Sequence, residues 1–208
     1  LGATATTSFT FRGGINVLGC DLWLDPTRAR AAALISHAHS DHVRRHATAI
    51  ATAPTAALVA ERYGRGMTVE VREFGRPFAC QGATITLYPA GHVLGSAQIL
   101  VEHRDLRLLY SGDLRLRRSI AAEPAEVPQA DIVIVDSTFG LPRYVFPPEE
   151  QVVADMLRFC QTTLDQGKRP VLLAYSLGKA QEVLLHLARA GFPVAAHAAV
   201  ARINAVYR

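Results

Sequence analysis

Three histidines and one aspartate are concentrated in SHAHSDH, residues 36–42, although the chain of 208 residues has only 8 histidines. The stretch follows the apolar run 31–35, so we expect His37 and His39 to emerge at the end of a β-strand. Alternate residues of an extended backbone point the same way, and these two imidazoles could bind one ion. A turn after them would direct Asp41 and His42 to a neighbouring point.

Imidazole and carboxylate groups are ligands that suit zinc and related divalent ions. A single His-x-His pair is more often a surface feature, but four such residues directly after a strand favour a metal site. One ion does not need so many ligands, whereas two ions about 3.5–4 Å apart can hold a hydroxide between them at neutral pH. The cluster therefore predicts two divalent metal ions, with zinc as the first choice and manganese as the alternative.

Short β-branched and apolar runs, separated by turn signals, predict a strand-rich first part of the chain. A helix is predicted at 56–63, and a second helix is expected to open after the SDH of residues 40–42. The predicted strands are residues 22–24, 33–35, 68–73, 83–88, 98–102, 106–110 and 132–135.

The pattern changes near residue 145. Pro147 and Pro148, followed by two glutamates and a periodic apolar face, indicate the start of a helix. A strand at 170–175, a helix at 178–190 and a strand at 193–196 predict a parallel, Rossmann-like layer. We expect two domains, residues 1–144 and 145–208, and the second one looks C-terminally incomplete because it is small for such a layer.

The composition is that of a folded protein, with 50% hydrophobic and 19% charged residues. No apolar run reaches the ~18 residues of a membrane span, and the N-terminus shows no export signal, so a cytoplasmic protein is expected. The 3 cysteines are far apart and predict free thiols. The net charge of +4, carried almost entirely by arginine, favours anionic partners, with arginine-rich codon usage as the alternative explanation.

The pattern His-x-His-x-Asp-His after a strand resembles the signature of the metallo-β-lactamase superfamily. LWLDP before it resembles the first motif of that family, PAGHVLGSAQ the third and YSGDL the fourth. The resemblance implies an α/β (α+β) fold, the αβ/βα metallo-β-lactamase sandwich. It also implies these roles: His37, His39 and His92 bind the first ion, Asp41 and His42 bind the second, Asp113 bridges both, and Asp25 orients a ligand histidine.

The segment DIVIVDSTFG resembles motif A of the β-CASP nucleases, a group with an inserted cap domain that YSLGKAQE would partly supply. In that resemblance Asp136 is the acidic residue of motif A, and Ser137 and Thr138 lie near a phosphate of the substrate. Gly178 and Lys179 could hold a phosphate at a helix N-terminus, although an ordinary strand-to-helix turn is an equal alternative. Three segments, STFGLPRYVFP, YSLGKAQE and the C-terminal AAHAAVARINAVYR, are similar to bacterial β-CASP exonucleases associated with DNA ligases and described as RNA 3′-end processing factors.

These resemblances predict a metal-dependent nuclease, an exonuclease by subgroup, that hydrolyses single-stranded DNA or RNA through a hydroxide held by two metal ions. Asp41, Asp113 and Asp136 are the predicted catalytic residues, and DNA-ligase or helicase repair machinery is the predicted partner. Two alternatives stay open: a non-nucleolytic hydrolase or dioxygenase on the same fold, and an inactive metal-binding interaction module. His39, where flavodiiron proteins carry a glutamate, favours hydrolysis over redox chemistry.

Overall fold

The computed structural model describes residues 9–208 and contains, within that range, two β-sheets and four helices. Residues 1–8, on which part of the export-signal prediction rests, lie outside the described residues. The first sheet has six strands that are neighbours in chain order, and helix α1 (Ala53–Tyr63) follows its fifth strand. The strands are β1 (Phe9–Phe11), β2 (Ile15–Val17), β3 (Leu22–Leu24), β4 (Ala32–Leu34), β5 (Thr48–Ala51) and β6 (Thr68–Val71).

Pairing in the first sheet is antiparallel from β1 to β3 and parallel from β3 to β6. Leu24, the last residue of β3, pairs with Leu34, the last residue of β4. Because parallel strands end at the same edge of a sheet, the loops after β3 and β4 are neighbours. These loops carry Asp25 and residues 36–42.

The second sheet has the spatial order β11-β10-β9-β8-β7, with a parallel pair only between β10 and β11. Its β8–β9 connection contains His92, and Asp113 follows β10. Tyr110 at the end of β10 pairs with Ile99 near the start of β9, so both loops lie at one edge. The strands are β7 (Phe78–Cys80), β8 (Ala83–Pro89), β9 (Ala97–His103), β10 (Leu106–Tyr110) and β11 (Ile132–Ile134).

The main hydrophobic core lies between the two sheets, where Leu24 and Leu34 pack with Ile85, Ile99 and Leu108. Each of these side chains is at most 1% exposed, and such burial stabilises the fold by about 1.5–3 kcal/mol per residue. Helix α1 packs in a second cluster with residues of β5. The predicted α/β sandwich is therefore confirmed.

Three helices follow the sheets: α2 (Glu149–Asp165), α3 (Lys179–Arg189) and α4 (Ala198–Val206). They confirm the helices predicted after Pro148 and at 178–190. Helix α4 packs near α1, where Arg202 forms an ion pair with Glu61 at 3.1 Å. Among the helices of residues 9–208, none is long and apolar enough to cross a membrane.

Three predicted elements are wrong. Residues 170–175 and 193–196 form no strand, because within residues 9–208 neither segment has a ladder partner. Leu173 in the first of them is 95% exposed. The helix expected after residue 42 does not form: the chain makes a turn at 40–42, in which the His42 N–H donates to the His39 carbonyl at 3.2 Å, and residues 43–47 reach β5 without regular structure. Strands β1, β2, β5 and β7, each of three or four residues, were not predicted.

Candidate metal centre

The neighbouring loops of the two sheets bring four candidate ligands to one point. One donor atom from each of His37, His39, His92 and Asp113 lies within 4.8 Å of the others. His39 Nδ1 is 3.0 Å from His37 Nε2 and 3.2 Å from His92 Nε2, and His92 Nε2 is 3.3 Å from Asp113 Oδ2. A tetrahedral zinc ion with bonds of about 2.0–2.1 Å has ligand separations of about 3.3 Å. The four side chains therefore fit a divalent ion.

In two of these rings, His37 and His39, the nitrogen that faces away from the cluster has a hydrogen-bond partner. His37 Nδ1 lies 3.0 Å from Ser36 Oγ, and His39 Nε2 lies 3.2 Å from the carbonyl oxygen of Leu177. A hydrogen bond to the outer nitrogen of a ligand histidine fixes the tautomer and the orientation of the ring. Consequently His37 offers Nε2 and His39 offers Nδ1 to the centre of the cluster.

A second group lies on the other side of Asp113. His42 Nε2 is 3.2 Å from Asp113 Oδ1 and 3.6 Å from Asp41 Oδ2. The side chain of Asp41 is 76% exposed, so it faces solvent at the rim of this group. Asp113 thus presents one oxygen to His92 and the other to His42.

The buried carboxylate of Asp25 forms hydrogen bonds that fix the position of His42 and of Ser36. It accepts hydrogen bonds from the Ser36 backbone N–H at 2.7 Å, the Ser36 hydroxyl at 2.5 Å and the Tyr110 hydroxyl at 2.9 Å. His42 Nδ1 lies 2.7 Å from the same carboxylate. Four partners compensate the cost of burying the charge. Ser36 and Tyr110 were not predicted as site residues, although they lie inside the motifs SHAHSDH and YSGDL.

The histidines differ in charge. Burial lowers the pKa of His37, His39 and His92, so these rings are neutral at neutral pH, as metal ligands must be. Burial also opposes the charge on His42, but hydrogen bonds to Asp113 and Asp25 outweigh it and raise the pKa of His42 to about 10. Burial likewise opposes the charge on Asp113, and His42 reverses that effect and lowers its pKa.

Asp136 borders the same region. It lines a cavity of about 220 Å³ together with Asp25, His42, Tyr110 and Asp113. Its side chain is exposed, and its Oδ1 accepts hydrogen bonds from the N–H and the hydroxyl of Thr138. Ser137 and Thr138 are exposed beside it. Their predicted contact with a phosphate stays a prediction.

Gly178 and Lys179 already have partners within the chain. The Gly178 N–H donates to Gln181 Oε1 at 2.7 Å, and Lys179 Nζ is paired with Glu182 Oε2 at 2.7 Å. A phosphate at this helix start would have to compete with both groups. This contact also stays a prediction.

Comparison with known proteins gives several relatives. A protein described as "Probable DNA ligase" from Opitutus terrae is 41% identical over 199 residues, which are 95% of this chain and 20% of that protein. "Endoribonuclease ysh1" from Aspergillus fumigatus is 34% identical over 57% of this chain and 14% of its own length. "RNase J-like protein" from Methanocaldococcus jannaschii is 30% identical over 47% of this chain and 24% of its own length.

The chain spans no more than about a quarter of any of these three relatives. No protein-family model matches it. The match with the Opitutus terrae protein extends over 95% of this chain.

Proposed function

This chain belongs to the metallo-β-lactamase superfamily and to its β-CASP nuclease group, and from that membership we propose that it hydrolyses phosphodiester bonds in single-stranded nucleic acid with the help of two divalent metal ions. The activity is proposed for the protein to which this sequence belongs. The two-part organisation, with residues 1–144 as the core and 145–208 as part of a cap, is part of the same proposal.

The position of Asp113 carries the proposal. Its Oδ2 lies 3.6 Å from His37 Nε2 and 3.3 Å from His92 Nε2, while its Oδ1 lies 3.2 Å from His42 Nε2. One carboxylate with imidazoles on both sides is the arrangement expected of a bridging ligand. It argues for two ions rather than one.

In this proposal His37, His39 and His92 hold the first ion, and Asp41 and His42 hold the second, with Asp113 shared. Imidazole and carboxylate ligands favour zinc, with manganese as the alternative. Bound ions would supply an activated water and stabilise negative charge at phosphorus. Asp25 keeps His42 oriented, and Ser36 keeps His37 oriented. Asp136 at the cavity wall is proposed to act beside the reacting phosphate.

The substrate class rests on the relatives and on charge. Two of the relatives are described as an endoribonuclease and an RNase J-like protein, and one as a DNA ligase. The net charge of +4 would attract a phosphate backbone, so affinity should fall as salt rises. We propose single-stranded DNA or RNA as the substrate, exonucleolytic cleavage, DNA-ligase repair machinery as the partner and the cytoplasm as the location.

The test is cleavage of end-labelled single-stranded DNA and RNA by the full-length protein loaded with zinc or manganese. Asp113→Asn serves as the inactive variant, and Asp165→Asn, at the exposed end of α2, serves as the matched control. Cleavage by the wild type and by the Asp165 variant, but not by the Asp113 variant, supports the proposal.

Two results would contradict it. Equal cleavage by the Asp113 variant would point to a contaminating nuclease or a different site. A metal-loaded wild type that leaves phosphodiesters intact, while it hydrolyses small esters or thioesters, would favour the non-nucleolytic hydrolase.

A further inference from the structure

The outer nitrogen of one candidate ligand is bonded to a distant part of the chain. His39 Nε2 lies 3.2 Å from the carbonyl oxygen of Leu177, which is 138 residues further along. Leu177 lies just before α3, whereas the outer nitrogens of His37 and His42 face Ser36 and Asp25 of the sheet loops. Among these three rings, only His39 is bonded to the helical part of the protein, residues 149–206, which contains α2, α3 and α4.

The turn 176–178 that carries this carbonyl is fixed by the side chain of Gln181. Gln181 Oε1 accepts from the Gly178 N–H at 2.7 Å, and its Nε2 donates to the Ser176 carbonyl at 3.0 Å. The same Nε2 donates to Asn204 Oδ1 in α4 at 2.8 Å. Gln181 is 3% exposed, so these bonds are protected from water. The groups on both sides of Leu177 are therefore anchored.

The turn also packs tightly against the loop that carries His92. The Leu177 side chain, 1% exposed, belongs to an apolar cluster with Ile35 and Val93. Gly178 has a φ of +90°, and a Cβ at this position would lie 2.5 Å from Val93 Cγ1. Only a glycine permits this approach without displacement of the turn or of Val93.

An ion-pair network joins the same helix to the segment after Asp113. Arg115 donates hydrogen bonds to Glu182 in α3 and to Glu149 in α2, the latter at 3.0 Å. Ser119 also donates to Glu182, at 2.8 Å. Helix α3 is thus linked to the metal centre in two places: to His39 through Leu177, and to the segment after Asp113 through Glu182.

We infer that the turn 176–178, held by Gln181, is a positioning device for His39. The turn keeps the Nε2–H of His39 bonded to the Leu177 carbonyl and its Nδ1 directed at the metal centre. The position of α3 therefore determines the affinity for metal. This inference rests on the proposed metal site and deepens it. A helix that moves away would leave His39 free to rotate or to change tautomer. Metal binding and the position of the helical part would then be coupled.

The experiment compares two variants of the full-length protein with two controls. Gln181→Met removes the clamp at similar volume, and Gly178→Ala displaces the turn. Gly191→Ala lies at the other end of α3, also at positive φ (+79°), but a Cβ there meets nothing within 4 Å. Gln151→Met removes an exposed glutamine of α2 whose side chain bonds only to Asp155 among the described residues.

Two quantities are measured: the zinc dissociation constant, by competition with a chromophoric chelator, and the protonated nitrogen of His39 in the metal-free protein. A long-range ¹H–¹⁵N spectrum of the imidazoles gives the second, with the His39 signal assigned from its loss in His39→Asn. We expect Gln181→Met and Gly178→Ala to bind zinc about 10–100-fold more weakly, as is typical when the partner of a ligand histidine is lost. The Nε2–H signature should weaken as well, while both controls match the wild type.

Wild-type zinc affinity and an unchanged His39 signal in either variant, with circular dichroism that shows a folded chain, would overturn the inference. If one variant fails to fold, the other decides. A wild type that binds no zinc but shows the Nε2–H tautomer would remove the proposed function and leave the positioning role intact. A zinc-binding wild type with His39 protonated on Nδ1 in the metal-free state would overturn the positioning role and leave the proposed metal site intact.

Discussion

Tyr110 donates its hydroxyl hydrogen to Oδ2 of Asp25 over 2.9 Å, and this bond connects the end of β10 in the second sheet with the loop after β3 in the first. Burial and the neighbouring Asp25 raise the pKa of Tyr110, so the hydroxyl keeps its proton and remains a donor. Asp25 in turn orients His42. The geometry of the metal centre therefore depends on how the two sheets pack.

Tyr110→Phe should destabilise the protein and weaken the second metal site. The change removes one of four hydrogen-bond partners of a buried carboxylate, which costs about 1.5–3 kcal/mol in free energy of unfolding. Urea denaturation measures the stability, and zinc titration measures the site. Tyr88→Phe, whose hydroxyl has no hydrogen-bond partner among the described residues, is the control and should behave like the wild type. Equal stability of both variants would show that the bond contributes nothing.

Asp113→Asn should lower the number of bound zinc ions per chain. The amide has nearly the shape of the carboxylate, but it has no charge and one acceptor oxygen fewer, so it cannot bind an ion on each side. Inductively coupled plasma mass spectrometry after gel filtration gives the stoichiometry. We expect two ions in the wild type and in Asp165→Asn, and at most one in Asp113→Asn. Two ions retained by the Asp113 variant would rule out its bridging role.

The metal-free protein should lose stability as the pH rises from about 6.5 to about 10. The pKa of His42 is raised from 6.5 to about 10, so the folded state holds a proton that the unfolded state has released. The stabilisation by this proton is complete below pH 6.5 and is lost as pH approaches 10. Urea denaturation in chelator at pH 6, 8 and 9.5 tests this. The slope should be smaller in His42→Asn, and identical slopes would contradict the assignment.

Gly112→Ala should be more damaging than the same change at Gly82. Both glycines have positive φ, +54° and +77°, so both substitutions carry a similar backbone cost of about 1–3 kcal/mol. A Cβ at residue 112 would also lie 2.8 Å from Ser36 Cβ and Oγ, whereas a Cβ at residue 82 meets nothing within 4 Å. We expect a lower melting temperature and weaker zinc binding only for Gly112→Ala. Equal melting temperatures would mean that the Ser36 contact relaxes without cost.

The sequence predicted much of the framework because several of its strands are long and apolar. Strand β10 was predicted with its observed bounds, and β8 and β9 to within one residue at each end. The segments 170–175 and 193–196 have the composition of strands, yet a strand exists only when a neighbour supplies its hydrogen bonds. Composition alone carries no information about such a neighbour.

The candidate ligands were identified from motifs, but only the fold shows that ligands from distant motifs meet at one site. His37, His39, Asp41 and His42 are adjacent in the chain, so their grouping is a local property of six residues. His92 and Asp113 come from the other sheet, and only the packing of the two sheets brings them within a ligand distance of His37.

The sequence by itself determined which side chains are available for metal chemistry and that each follows a strand. Tertiary structure decided their partners: Tyr110 for Asp25, and the Leu177 carbonyl for His39. The second of these could not be found from side-chain types, because the partner is a backbone oxygen and any residue at 177 would carry one. Its position depends on the Gln181 clamp and on α3, which are 138 residues or more from the histidine in the chain but adjacent to it in space.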